Sequence, residues 1–180
     1  TKTPVWPVFV SKEKVLENIR AIAELIQEYN PDVVTLQEVD KNSWSNGRID
    51  ELQELNKILG FPYSLYGNHF HTPFATFGTA ILSKFPLYNT ASYRFPVAFP
   101  TPRKGYVLAE VEVSSGKRIL LSSIHTTWIN MLYPNTRSLQ LRQVLKKVKM
   151  HTPMPMIMSG DFNDRIHGSK NTRMVDFIEK

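Results

Sequence analysis

The chain has 180 residues, 42% of them hydrophobic and 21% charged, which is one domain's worth of material and excludes an intrinsically disordered chain. It has no cysteine, which excludes a disulfide framework, a thiolate metal site and a thiol nucleophile. The net charge of +6 is unevenly spread: residues 1–54 are acidic on balance, while residues 55–160 set twelve basic side chains against only Glu110 and Glu112. An electropositive middle suits a phosphate-bearing partner and equally a plain basic surface.

The opening TKTPVWPVFV lacks the basic start, apolar centre and cleavage site of a signal peptide. No apolar run reaches the roughly 20 residues of a membrane span, so the sequence reads as a soluble chain. Without repeats or a Gly/Ser linker, residues 1–180 read as a single domain. Ser11 is placed to cap a helix over about Lys12–Tyr29, with Val15, Leu16, Ile19, Ile22, Ala23, Leu25 and Ile26 as its apolar stripe. Asn30-Pro31 ends it, and DVVTLQE follows as a short, buried strand. A second helix is expected near Asp50–Leu59, with Leu52, Leu55, Ile58 and Leu59 inward and Gly60 stopping it.

Residues 61–106 concentrate aromatics and prolines, which reads as short strands joined by long, shaped loops, with GTAILSK at 78–84 the clearest strand. YVLAEVEV at 106–113 and KRILLSSI at 117–124 form strands around an SSG turn. A helix over about Thr136–Met150 carries Leu139, Leu141, Leu145 and Val148 as its apolar positions, MPMIMSG at 154–160 is another buried strand, and Ser169–Glu179 suits a short final helix. Helices alternating with buried strands argue for an α/β layered architecture.

Three of these strands end in a group capable of chemistry: Glu38 after VVTLQ, His125 after ILLSSI, and Asp161-Phe162-Asn163 after MIMSG. In α/β sheets, ligands bind beyond strand ends, where loops hold side chains over a rigid platform. If the three strands are neighbours, two carboxylates, an imidazole and an amide converge. Such oxygen donors suit Mg²⁺ or Mn²⁺ and argue against a structural zinc site. Each residue alone has a plainer reading: Glu38 as an exposed strand-end acid, His125 as a structural histidine, Asp161 and Asn163 as parts of one turn.

PDVVTLQEVD at 31–40, GTAILSKFP at 78–86, SSIHTTW at 122–128 and SGDFND at 159–164 resemble, in order, the signature blocks of the endonuclease/exonuclease/phosphatase superfamily. The resemblance implies a four-layer α/β sandwich, two mixed β-sheets face to face with helices outside, and metal-dependent hydrolysis of phosphoesters. It implies Glu38 as the ligand of Mg²⁺ (or Mn²⁺), Asp161 as the residue that orients or activates the attacking water, Asn163 as a contact to the scissile phosphate, and His125 as a charge placed against that phosphate. It also implies a substrate contact at Asn68 or His69, with His71 weaker, and at Arg103, before strand 106–113, either a phosphate contact or a brace of the site. The family opens on a strand bearing an asparagine near the metal and closes on one bearing an Asp-His pair. Neither is found here, so the resemblance implies a domain incomplete at both ends, with weak activity or none in this piece alone.

Trp128, Tyr133 and Arg137 follow His125 on an expected rim loop, where they either stack on substrate or pack beneath their own loop. Arg142, Lys146, Lys147 and Lys149 lie mostly opposite the apolar side of their helix, as a solvated face does. The partner is thus expected to be a phosphate ester, nucleic acid among the options, with no protein partner inferable. The competing reading is a non-catalytic binding or scaffold module that retains the fold.

Overall fold

The computed structural model describes residues 10–128, 135–151 and 153–164. The expected final helix, Tyr133 and the first nine residues lie outside them. Helix α1 spans Lys12–Tyr29; the Ser11 hydroxyl accepts a hydrogen bond from the Lys14 amide, and Asn30 closes the helix in the left-handed conformation at φ 44°. Strand β1, Val33–Asp40, leads to α2, Glu51–Leu59, which is capped by the Asp50 carboxylate and ended by Gly60 at φ 71°. Three strands follow, β2 (Tyr63–His71), β3 (Thr76–Ser83) and β4 (Leu87–Arg94). Then come β5 (Gly105–Ser114), β6 (Lys117–His125), α3 (Thr136–Val148) and β7 (Met156–Asp161).

The strands form two sheets, β1-β3-β2 and β4-β5-β6-β7. The first is antiparallel throughout the described residues, and the second is mixed because β6 and β7 run parallel. Side-chain alternation explains the layering. On β3, Ala80 and Leu82 face Val15, Ile19 and Ala23 of α1 and Leu52 and Leu55 of α2. Ile81, between them in sequence, points the other way and meets Val107, Ala109 and Val111 of β5 and Leu121 of β6. On β5, Tyr106 and Leu108 turn outward to pack with Val144 and Val148 of α3. The order is helices, sheet, sheet, helix: the four-layer sandwich that the sequence resemblance implied. Each fully buried aliphatic side chain in these layers contributes about 1.5–3 kcal/mol relative to exposure.

Four expectations change. β1 and β7, expected as buried strands, are only half-covered: β7 has no buried residue, and β1 only Val39 and Asp40. The buried stripe of α1 is narrower than its apolar content suggests: Val15, Ile19 and Ala23 are buried, while Ile22 and Leu25 are exposed. A single row at i, i+4 spacing is enough to seat a helix on a sheet. Ile58 and Leu139 are likewise exposed. Residues 61–106 hold full strands of nine and eight residues in β2 and β4, rather than short strands among loops. Both were disguised, β2 because its buried positions include Gly67 and His69, and β4 because it is a polar edge strand with no buried residue. No helix among the described residues is long and apolar enough to cross a membrane.

Candidate functional site

Glu38 sits where the pairing of β1 with β3 slips, between Leu36 and Val39. Regular alternation would send residue 38 to the face opposite Gln37. The bulge, together with a φ of 56° at Glu38, breaks that alternation. Such a backbone is unfavourable for a residue with a Cβ and persists only where the surroundings hold it. Polar bonds across the sandwich do so. The Ser123 hydroxyl of β6 donates to the Leu36 carbonyl at 3.0 Å and accepts from the Gln37 side-chain amide at 3.1 Å. Thr35 and Ser159 join β1 to β7 hydroxyl to hydroxyl at 2.8 Å. Since Ser159 donates its proton to the Ser122 carbonyl, Thr35 is the donor of that pair.

The other arm of the site comes from the parallel pair β6 and β7, whose register sets His125 directly beside Asp161. One residue earlier, Gly160 lies against Ile124 so closely that a Cβ there would come within 2.0 Å of the Ile124 carbonyl oxygen, and its φ of 143° also calls for glycine. Beyond the strand ends, the Asn163 amide donates to an Asp161 carboxylate oxygen at 2.8 Å, and the Asn163 side chain donates to the Thr126 carbonyl at 2.8 Å. Asp161 and Asn163 therefore form the turn that their plainer reading supposed, and the turn also leaves the second Asp161 oxygen facing His125. Arg137 donates to the Asn163 carbonyl, a brace beneath this loop rather than an exposed stacking group.

The two arms meet at one imidazole nitrogen. His125 Nε2 lies 3.8 Å from Glu38 Oε1 and 3.7 Å from Asp161 Oδ2. Burial, and then the Lys104 ammonium, lower the His125 pKa, while the two carboxylates pull it up. Glu38 shows the reverse balance: burial would raise its pKa, but the hydrogen bond and charge of Lys104, with help from His125, hold it below the usual carboxylate range. Lys104 Nζ sits 3.0 Å from Glu38 Oε1. Sequence reasoning missed this lysine. Its only local signal was a basic residue and a glycine directly before a buried strand.

Arg103 and His69 line the same narrow cleft as Glu38, Lys104 and His125, whereas Asn68 does not. His69 is 3% exposed, and its Nε2 pairs with the Thr79 hydroxyl at 2.9 Å. Among the described residues its Nδ1 has no hydrogen-bond partner; it faces Gly105, where a Cβ would stand 2.5 Å away. Burial first, then the charges of Arg94, His125 and Lys104, drive the His69 pKa down to about 3, so the ring is neutral. Asn68 has a buried side-chain oxygen without a partner, and its carbonyl accepts from the Arg94 guanidinium at 2.7 Å. His71 is exposed and pairs with Thr76. Trp128 is exposed on the rim. Arg142 and Lys146 are exposed on α3 and Lys149 just past its end, as a solvated face requires, and Lys147 lies over the Tyr93 ring. A hollow of about 400 Å³ lies behind β1, lined by Val15, Ile19, Leu52 and Leu55 among others, and Glu38 borders it as well as the cleft.

Among the described residues, no three His, Cys, Asp or Glu side chains stand close enough to cage a metal. The donors present fit a less demanding ion. Glu38 and Asp161 offer carboxylate oxygens on either side of His125, and a Mg²⁺-type ion takes one or two carboxylates while keeping waters and substrate phosphate as its other ligands.

Two face-to-face sheets flanked by helices, with polar strand ends converging at one rim, define a DNase-I-like α/β sandwich. The chain belongs to the Endonuclease/Exonuclease/phosphatase family, whose profile matches residues 11–175. It is 30% identical over 126 residues to the inositol phosphosphingolipids phospholipase C of Schizosaccharomyces pombe, a match covering 65% of this chain and 28% of that one. Its fold is similar to an endonuclease/exonuclease/phosphatase family protein from Leptotrichia buccalis, with a TM-score of 0.68 and 19% identity over 93% of this chain and 66% of that one. It is also similar to TDP2 of D. rerio complexed with a single-strand DNA product, with a TM-score of 0.65 and 24% identity over 84% of this chain and 55% of that one. The chain thus spans little more than a quarter of its curated relative and less than two thirds of the solved TDP2 chain.

Proposed function

We propose that this chain forms the catalytic region of a divalent-metal-dependent phosphodiesterase. The observation that carries the reading is the approach of Glu38 and Asp161, from different sheets, to within 4 Å of the same His125 nitrogen. Glu38, with Asp161 near it, would hold Mg²⁺ or Mn²⁺, and the ion would supply Lewis-acid stabilisation of a phosphate oxygen. The remaining steps belong to side chains. The Asp161 carboxylate orients a water molecule and accepts its proton as the water oxygen bonds to phosphorus. The bond from phosphorus to the leaving oxygen breaks, and solvent protonates that oxygen. His125 and Asn163 border the phosphate, and Arg103 places positive charge at the mouth of the cleft. Phosphoryl transfer asks for this kind of positioning and charge neutralisation and needs no nucleophilic side chain.

The substrate class is a phosphodiester. The Schizosaccharomyces pombe relative, an inositol phosphosphingolipids phospholipase C, supports a phosphosphingolipid headgroup, and the DNA product in the D. rerio neighbour supports nucleic acid. The test is hydrolysis of bis(p-nitrophenyl) phosphate with Mg²⁺, with Mn²⁺ and with EDTA, by the longest available form of the protein, as wild type and as Glu38→Ala. Turnover that needs the metal and collapses in the variant is expected. Turnover untouched by EDTA, or no turnover under any condition, overturns the reading in favour of a binding module.

A further inference from the structure

The Glu38–Lys104 pair is unequal in a way that surface ion pairs are not. The Lys104 side chain is 11% exposed, while the carboxylate it meets is 70% exposed. Exposed lysines wander, and their pairs contribute little. Here the aliphatic stem is buried, so the ammonium is delivered to a fixed point beside a projecting acid. The backbone that carries it is fixed as well. Gly105 pairs with His125, and Thr101 is buried and bonded to both Ala98 and Thr127, which ties the preceding loop to the strand-end loop after His125. The oxygen that Lys104 takes, Glu38 Oε1, is also the one nearest His125.

We propose that Lys104 is a positioning residue whose ammonium stands in for a divalent cation at Glu38, and that a cation arriving there displaces it toward the substrate phosphate. This deepens the phosphodiesterase reading and rests on Glu38 being the cation's carboxylate. The physical reason is competition. One exposed carboxylate oxygen cannot closely accommodate an ammonium and a doubly charged ion together, because the two cations repel strongly at about 4 Å. While the site is empty, Lys104 satisfies Glu38 and holds it in its left-handed bulge. Once displaced, the ammonium has three donors, and the nearest new acceptor is an oxygen of the phosphate that the cation brings in.

The test is titration with Mn²⁺ alone by calorimetry, comparing wild type with Lys104→Met and Lys104→Gln, with turnover of bis(p-nitrophenyl) phosphate measured in parallel. Either variant should bind Mn²⁺ at least about tenfold more tightly while turning over at least about tenfold more slowly. Lys104→Arg, which keeps a cation at the position, should bind Mn²⁺ more weakly than the other two. A structural role for Lys104 would weaken both properties together. Unchanged or weaker Mn²⁺ binding in the Met and Gln variants overturns the proposal, as does a failure of wild type and variants alike to bind the ion. Metal-dependent turnover by the wild type with unchanged variant affinities sinks this inference alone and leaves the phosphodiesterase reading standing.

Discussion

His125 leaves β6 with 4% of its side chain exposed, held between β5 and β7, whereas Glu38 leaves β1 with 70% exposed, on a bulge. One arm of the site is built into a four-stranded sheet in which β6 pairs without interruption with β7, and with β5 from Arg118 up to His125. The other is presented by an interrupted ladder that depends on hydroxyls of the opposite sheet, one of which accepts from the amide of β1's own Gln37. The contrast teaches a division of labour: the imidazole and its neighbouring aspartate set the geometry, and the glutamate is the part free to exchange partners. A site that had to admit and release an ion would need both properties.

The largest effect expected from this contrast is on the rigid arm. His125→Ala should lower kcat on bis(p-nitrophenyl) phosphate by about 10³-fold while leaving the circular dichroism spectrum intact. A loss below tenfold would mean that the packed arm is scaffold only. Next comes the seam between β6 and β7. Gly160→Ala should lower stability by roughly 3 kcal/mol in urea unfolding, because the new methyl meets the Ile124 carbonyl and the backbone disfavours a side chain.

A pH effect sharpens the comparison further. The folded state holds the His69 pKa down to about 3 against an ordinary 6.5, so the unfolded chain binds the extra proton between those values. Stability should be undiminished above pH 6.5 and should fall as pH drops from there toward 3, by at most about 1.4 kcal/mol per pH unit from this group. The lowered pKa of His125 adds in the same direction. His69→Gln should flatten the slope of unfolding free energy between pH 6.5 and 5; an unchanged slope would mean that the ring is not the buried neutral group described. The smallest effect belongs to the cross-sheet bonds. Ser123→Ala should cost about 1 kcal/mol in unfolding and weaken Mn²⁺ binding more than it alters His125, which an NMR titration of the imidazole would read separately.

Much of this was legible in the chain. β1, β5, β6 and β7 are runs of apolar residues, and Glu38, His125, Asp161 and Asn163 follow those runs directly, so chemistry at strand ends could be read from residue type and order. Lys104 could not. It meets an acid 66 residues away, and only the antiparallel register that sets Gly105 against His125 brings the two together. The same holds for Thr35, Gln37, Ser123 and Ser159. In a linear reading they are small polar residues within apolar strands, and only the facing of two sheets turns them into a hydrogen-bonded layer beneath the site. A substrate contact at Asn68 or His69 was expected from position along the chain. His69 is buried at the cleft to a depth that β2's mixed composition did not reveal, while Asn68 is half-buried beside it.

The kink in β1 sets folding quality and chemistry against each other. Shortening the strand by one residue between Leu36 and Val39 would let it zip onto β3 without interruption and would relieve the awkward torsion at Glu38. Such a deletion removes either Glu38 itself or Gln37, whose side-chain amide reaches Ser123 across the sandwich. A laboratory selection for heat resistance alone would therefore reward an edit that removes the acid or its support from the opposite sheet.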